Sequence, residues 1–404
     1  MASTPEMVSG LPRASTWVGF PYRKTESFYL PPETSRSFSA RDRTGWDTTS
    51  YEELHRGKLG AFGDFISALY HETPVLAPLI GRLMRLLGLG VKAYMMLLRL
   101  TLFAFALSPA ISKVGYWWWR SKSISRGVQY GKNPRNFLDV YHVIDQTQAD
   151  LAPVVIYVTG GAWIIGYKAW AAPLGDFLSR NGIVTVSVDY RNFPQGTFAE
   201  MAQDVERAIE WTFANIWFYG GDPNNVTIVG QSAGAHITAY ILLKRALDWN
   251  IRNFVGVSGP YDIVSLAPIL NKRGLYTRML KSIMNEDYFA VSPTWLVPGL
   301  RPNLIAQLPP ILLLHGTADA SVPVSSSIEF HAALQRVGVA NVSIELWPGV
   351  AHSEPIVEAP VLGNNYLSAR IAELCNPAWS AASVTSKPIM NEPMVRFAKY
   401  IMPF

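Results

Sequence analysis

The stretch Val226-Thr-Ile-Val-Gly-Gln-Ser-Ala-Gly-Ala-His236 constrains the fold of this chain more than any other. Its first four residues, Val226 to Val229, are mostly β-branched and read as a buried strand. The strand runs straight into Gly230-Gln231-Ser232-Ala233-Gly234, which fits G-x-S-x-G, and then into a helix-like segment from Ala235 to Leu247. A serine on such a strand-to-helix turn is held in a strained conformation with its hydroxyl clear of the sheet. Only small residues fit beside it, hence Gly230 and Gly234. A glycine-rich turn with an ordinary serine does not require that order of elements. Strand, tight turn and helix together predict a nucleophile elbow.

Around the elbow the chain alternates between strand and helix. Phe137 to Val143 alternates like a strand, and Val154 to Val158 and Ile183 to Val188 are continuous apolar runs, as expected of central parallel strands. Ala199 to Phe218 has helical period, with Met201, Val205, Ala208, Ile209 and Thr212 on one side. Phe254 to Val257, Ile311 to Leu314 and Val342 to Trp347 are further strands, with a helix from Val324 to Val337 between the last two. Residues 262 to 307 break the alternation with irregular, Pro-containing helical pieces, as an inserted lid does. The prediction is an α/β protein, its mostly parallel sheet covered by helices on both faces, over residues 128 to 404.

Two segments precede it. Residues 1 to about 60 are rich in Ser, Thr, Arg and Pro and are expected to be disordered, with no apolar signal-peptide run after Met1. From Pro74 to Trp119 the composition turns to Leu, Met, Ala and Phe, with Arg82, Arg85, Lys92 and Arg99 among them. Ala93 to Ser112 is long enough for a span of about 20 residues, flanked by Lys92 and Lys113 and followed by Trp117-Trp118-Trp119. It also holds Arg99 and Pro109, so a basic amphipathic helix in the membrane surface is the other reading. A pair of apolar helices packed on the following domain is the third. Membrane association is the expectation.

The composition excludes other classes. One cysteine in 404 residues, Cys375, allows no internal disulfide, and its place before Asn376-Pro377 suits a small buried side chain. The net charge of +5 lies towards the N-terminus without the interleaved aromatics of a nucleic-acid surface, so no nucleic-acid partner is expected. No metal or phosphate constellation and no cofactor motif is present. Asn225-Val-Thr227 and Asn341-Val-Ser343 match the glycosylation triplet but abut strands, and are read as chance matches.

A serine needs a base within reach and a group to orient that base. The order of such a triad after an elbow is Ser, then Asp or Glu, then His. Asp319, in His315-Gly-Thr-Ala-Asp319, follows the Ile311 strand, and His352, in Pro348-Gly-Val-Ala-His352, follows the Val342 strand. Both lie just past C-terminal strand ends, where open α/β sheets place their sites. Ser232, Asp319 and His352 are therefore the catalytic candidates. His236 and His331 lie on helices, and His236 is expected to pack. His315 is expected to brace the Asp319 loop, Asp189 to hold a turn or ion pair, and Asp262 to be structural at the lid entrance. The loop after the Val154 strand, Thr159-Gly-Gly-Ala-Trp163, occupies the place of the H-G-G-G loop, with Thr159 for the histidine and Ala162 for the third glycine. Oxyanion donors are expected from Gly161, Ala162 and Ala233, with Gly160 allowing close approach and Trp163 and Gln231 beside them.

Thr159-Gly-Gly-Ala-Trp-Ile-Ile-Gly-Tyr-Lys-Ala-Trp170, the elbow and His315-Gly-Thr-Ala-Asp319 resemble the plant isoprenylcysteine (prenylcysteine) methylesterases of the α/β-hydrolase superfamily. The resemblance runs from about Val128 to His352 and takes in the apolar N-terminal segment and Arg396 to Phe404. It implies a membrane-associated, transmembrane or peripheral serine esterase of the endoplasmic reticulum and Golgi. Such an enzyme removes the methyl ester from C-terminal prenylated cysteine, free or on a protein, and touches abscisic acid signalling in plants. It also points to Ser232, Asp319 and His352 as the triad.

Other readings stay open. Kynurenine formamidases share a Gly-Gly-x-Trp loop and a Gly-Gln-Ser-Ala-Gly elbow but are soluble, against which the segment before Trp119 argues. A general carboxylesterase has the same chemistry. A hydrolase-fold receptor of the gibberellin type lacks the catalytic histidine, whereas His352 is present here.

Overall fold

The computed structural model describes residues 91–144, 151–376, 379 and 385–401, all within the compact unit His71–Phe404. The expectations for residues 1 to 60 and for 74 to 90 lie outside the described residues.

Two apolar helices come first, α1 (Val91–Ala106) and α2 (Ser108–Arg120). The sequence reads Ala93 to Ser112 as one apolar stretch long enough for a span, but the chain bends by 65° between Leu98–Ala106 and Ser108–Arg120. Pro109 stands in the first turn of α2, where its missing N–H costs nothing and its ring prevents α1 from running on. Among the described residues no single helix is long and apolar enough to cross a membrane, although this bent pair passes by length and composition.

An eight-stranded sheet follows, in the spatial order β1-β2-β4-β3-β5-β6-β7-β8. In chain order its first half is β1 (Ile124–Gln129), β2 (Phe137–Tyr141), β3 (Ala152–Val158), α3 (Ala172–Arg180), β4 (Val184–Val188) and α4 (Phe198–Asn215). β5 (Gly221–Gln231), α5 (Ala233–Arg245) and β6 (Ile251–Val257) form its centre. The lid is five short helices, α6 (Ile263–Arg273), α7 (Thr277–Ile283), α8 (Tyr288–Val291), α9 (Pro293–Leu296) and α10 (Pro302–Gln307). The chain ends with β7 (Ile311–Gly316), α11 (Ser325–Arg336), β8 (Val342–Trp347), α12 (Glu358–Val361), α13 (Tyr366–Cys375) and α14 (Glu392–Ile401).

Strands β3 to β8 are parallel, whereas β2 runs antiparallel to β4 and to β1. β1 is an addition to the sheet read from sequence. Its segment Ile-Ser-Arg-Gly-Val-Gln has no apolar run, and it bulges between Ser125 and Val128 around Gly127, at a φ of 66°. A short bulged edge strand protects the sheet from further pairing and leaves little period-2 signal.

Side chains of a strand point alternately to opposite faces, so each β-branched run feeds two cores. Val154, Ile156, Val158, Ile228 and Phe254 enter the core covered by α4, α5 and the lid. Val155, Tyr157, Val229, Val257 and Leu314 enter the other, covered by Leu178 of α3 and Ile371 and Cys375 of α13. Burial raises the Cys375 thiol to about 11, which keeps it an inert packing group. α4 starts at a capping box, where the Thr197 N–H donates to Glu200 Oε2 at 2.8 Å.

The N-terminal helices are fastened to this body at both ends. Phe103, Ala106 and Leu107 pack with Ala398 of α14. Trp118 Nε1 donates to Asp139 Oδ2 at 3.0 Å, and the same wholly buried carboxylate takes Lys168 Nζ at 2.7 Å. Breaking one side of a buried pair leaves an uncompensated charge, so Asp139→Ala should lower stability by about 3–5 kcal/mol. The expected result is a lower urea midpoint at unchanged m-value; an unshifted midpoint would contradict the tie.

Candidate active site

β5 ends in the elbow. Ser232 has φ 52° and ψ −119°, outside the regions open to an ordinary L-residue, at a cost of about 1–3 kcal/mol. The surroundings enforce it. Ser232 N–H donates to Val257 O at 2.8 Å on one side, and its carbonyl accepts from His236 N at 3.0 Å on the other. Any Cβ at residue 234 would lie 2.1 Å from Val158 O, so the first turn of α5 reaches the sheet only with glycine there.

The structure brings Ser232, His352 and Asp319 into one hydrogen-bonded line. Ser232 Oγ lies 2.9 Å from His352 Nε2, and His352 Nδ1 lies 2.6 Å from Asp319 Oδ2. A carboxylate only accepts, so the Nδ1 proton points to Asp319 and Nε2 is left to accept from the serine. Three separate strand ends supply these groups, as open α/β sheets do at their carboxyl edge. The loops after β7 and β8 are stitched together by Ala318 N donating to Val350 O at 3.1 Å and Gly349 N to Thr317 Oγ1 at 2.9 Å.

Asp319 is buried, which by itself would raise its carboxyl pKa. Hydrogen bonds from His315 and His352 outweigh that burial and, with the Val322 N–H, hold the carboxyl well below the usual range. Oδ1 accepts from Ser321 N and Val322 N at 2.8 and 2.9 Å. His315, fully buried, lies 3.2 Å from Oδ2 through Nε2, 3.0 Å from Val322 O, and 2.7 Å from Ser327 Oγ through Nδ1. His315 is thus the brace of the Asp319 loop.

The loop after β3 carries Gly161, Ala162 and Trp163 at φ 127°, 50° and 63°. It abuts the serine: a Cβ on Gly160 would lie 2.2 Å from Gln231 Oε1 and 2.9 Å from Ser232 Cβ. Ile164 and Ile165 N–H close back on Gly161 O at 2.9 Å each. Behind it, Tyr190 OH donates to Thr159 O at 2.9 Å, and Arg135 and Asn192 donate to Gly166 O at 2.6 and 2.7 Å. Asp189 holds Arg135 at 2.6 Å. Among the described residues no protein acceptor takes the N–H of Gly161, Ala162 or Ala233. Unpaired backbone donors beside a strained serine are rare, and they suit a developing negative oxygen. The Ala233 N–H also opens α5, whose dipole favours negative charge there.

Other candidates fall outside this line. Gln231 is buried at the end of β5. Trp163 is 2% exposed, and its indole donates to His236. Asp262 caps α6 through Val264 N and accepts Trp295 Nε1 at 3.1 Å. His331 sits partly buried on α11. The Arg135–Tyr190–Asn192 support was missed in the sequence, because its members are scattered and none belongs to a motif.

The relatives agree with the fold and settle the family. The BD-FAE family model matches residues 138–334. Esterase B from Lactobacillus rhamnosis superposes with a TM-score of 0.53 at 17% identity, covering 69% of this chain and 95% of that one. Thermogutta terrifontis esterase 2, phosphonylated by sarin, superposes with a TM-score of 0.51 at 21% identity, covering 63% and 94%. At these identities they speak for the fold alone. The isoprenylcysteine alpha-carbonyl methylesterase of Arabidopsis thaliana is 39% identical over 317 residues, covering 75% of this chain and 74% of that one. The chain belongs to the isoprenylcysteine alpha-carbonyl methylesterase family. The match spans more of the chain than the hydrolase body alone.

In this member of the methylesterase family, the depressed Asp319 gives a stability test. Its contribution is complete above the unfolded-state value of about 3.9 and is lost as pH falls below that towards the folded value. The stability difference between native protein and Asp319→Asn should therefore shrink from about pH 5 to about pH 3, measured by urea unfolding. A difference constant over that range would contradict the buried, fully hydrogen-bonded carboxylate.

Proposed function

We propose that this protein is a serine esterase that removes the methyl ester from C-terminal prenylated cysteine. The observation that carries the reading is the Ser232–His352–Asp319 line beside three backbone donors that no acceptor among the described residues takes, in a chain of this family. Ser232 Oγ attacks the ester carbonyl as His352 Nε2 takes its proton. The tetrahedral oxyanion is held by the N–H groups of Gly161, Ala162 and Ala233. His352 returns the proton to the departing methoxide, methanol leaves, and an acyl-enzyme is left on Ser232. Water then attacks with His352 as base, releasing the carboxylate and restoring Ser232. Asp319 stays ionised, holding Nδ1–H and stabilising the imidazolium.

Selectivity has to come from the rest of the substrate. Burying each CH₂ of a prenyl chain is worth about 0.8 kcal/mol. Apolar groups available outside the core include Trp170, about half exposed, and Phe289 and Trp295 of the lid, whose rings meet edge to face at 4.9 Å. Membrane association at the endoplasmic reticulum and Golgi is part of the same proposal. Its support is the pair α1–α2, which has no acidic residue between Val91 and Arg120 and leaves Leu98, Leu102 and Phe105 exposed. A prenylated substrate and its enzyme would then share one surface.

Binding energy from the remote prenyl group should appear partly in turnover. Farnesylcysteine methyl ester should therefore exceed unprenylated cysteine methyl ester in kcat/KM by about 100-fold or more, and Ser232→Ala should cost on the order of a millionfold in turnover. Equal kcat/KM for the two esters would leave a general carboxylesterase as the description, and faster turnover of formylkynurenine a formamidase.

A further inference from the structure

His236 lies four residues beyond the nucleophile, wholly buried, and takes no part in the Ser232–His352–Asp319 line. Its ring nitrogens are both engaged. Trp163 Nε1 lies 3.2 Å from Nδ1, and Val291 O lies 2.7 Å from Nε2. An indole only donates, so Nδ1 must accept and carries no proton. The single proton of a neutral imidazole is then on Nε2, which donates to the Val291 carbonyl. Burial lowers the pKa of His236 to about 3, so this one tautomer persists throughout the working range. Phe198 lies against the ring at 4.5 Å, and Trp163 meets it edge-on at 5.5 Å.

The two partners belong to parts of the site that no strand connects. Trp163 ends the positive-φ run Gly161-Ala162-Trp163, which follows Gly160, whose Cβ position would lie 2.9 Å from Ser232 Cβ. A run of that kind, with two non-glycine members, needs an external hold. Its carbonyl is taken by Phe193 N at 2.8 Å, and its side chain by His236. Val291 closes lid helix α8, next to Ser292, whose hydroxyl receives Ile263 N at the lid entrance. We propose that His236 is a positioning residue: through the Trp163 indole it holds the oxyanion loop with its donors aimed at the reacting carbonyl, and through Val291 it fixes the lid to that loop. The proposal rests on the esterase reading above.

The two ring nitrogens separate the roles. An asparagine amide reaches the place of Nδ1, so His236→Asn keeps an acceptor for Trp163 and loses the lid bond. A glutamine amide reaches the place of Nε2, so His236→Gln keeps the donor to Val291 and loses Trp163. His236→Phe keeps only the ring packing on Phe198. The experiment uses the full chain, a soluble p-nitrophenyl ester, and a trifluoromethyl ketone whose hemiketal needs the same oxyanion donors.

His236→Gln, His236→Phe and Trp163→Phe should each lower kcat about 10- to 100-fold with KM within about twofold, and weaken the ketone in parallel. His236→Asn should stay within about fivefold of native kcat, and His236→Gln/Trp163→Phe should fall no further than either single change. A purely structural histidine would not place the loss in kcat and ketone binding alone, nor be rescued by asparagine over glutamine. Native kcat in His236→Gln and Trp163→Phe, or His236→Asn falling as far as His236→Phe, overturns the proposal. Trp163→Phe leaves His236 intact, so native kcat and ketone binding in that variant alone overturn it even if a histidine variant fails to fold. A native protein inert to every ester overturns the esterase reading itself, and this role with it.

Discussion

The backbone of Ser232 is the constraint on which the site depends. A φ of 52° at a serine is unfavourable and persists only because its neighbours over-determine it. Val257 O holds its N–H, the turn of α5 holds its carbonyl, and Val158 O admits only glycine at position 234. The parallel register of β3, β5 and β6 therefore shapes the candidate site, since it sets the distance between those groups. Strain at Ser232 is balanced by burial on both faces of the sheet, where Val154 to Val158 are almost fully enclosed.

Buried charges hold the loops that the sheet cannot. Arg135 and Asp189 stand behind the Gly161–Trp163 loop, and Lys168 and Asp139 join that loop's continuation to β2 and to Trp118 of α2. Such pairs contribute little net stability against an apolar alternative, yet losing one partner is costly. Their value here is geometric. The same holds for Asp319, whose four donors fix one orientation of the carboxylate and so one orientation of His352. Glu354 extends this order outwards, accepting Ala351 N at 3.2 Å and Lys399 of α14 at 2.6 Å, so the terminal helix braces the His352 loop.

What the sequence shows and what it hides follow from how local each signal is. Val226 to His236 announces itself because strand, turn and helix are contiguous, and Asp319 and His352 follow recognisable strands in the required order. The sheet's parallel strands are apolar runs and are legible for the same reason. β1 is not, because a bulged edge strand around Gly127 breaks its own alternation. The bend between α1 and α2 is marked by Pro109, but the partner that buries Phe103 and Leu107 is α14, almost 300 residues away, and one sequence holds no record of that pairing. Ala162 and Trp163 adopt left-handed backbone without being glycine, which only tertiary contacts explain. The hold of His236 on Trp163 is of that kind, and from sequence His236 is simply a packed histidine.

The most direct measurement is covalent. An active-site-directed fluorophosphonate reports a serine whose proton is taken by a base and whose adduct oxygen is held by nearby donors. Mass spectrometry of the labelled full chain should find a single adduct on the peptide carrying Ser232, and no adduct after Ser232→Ala. Labelling at another residue, or ester turnover that persists with Ser232 unlabelled, would contradict the assignment of this elbow as the nucleophile.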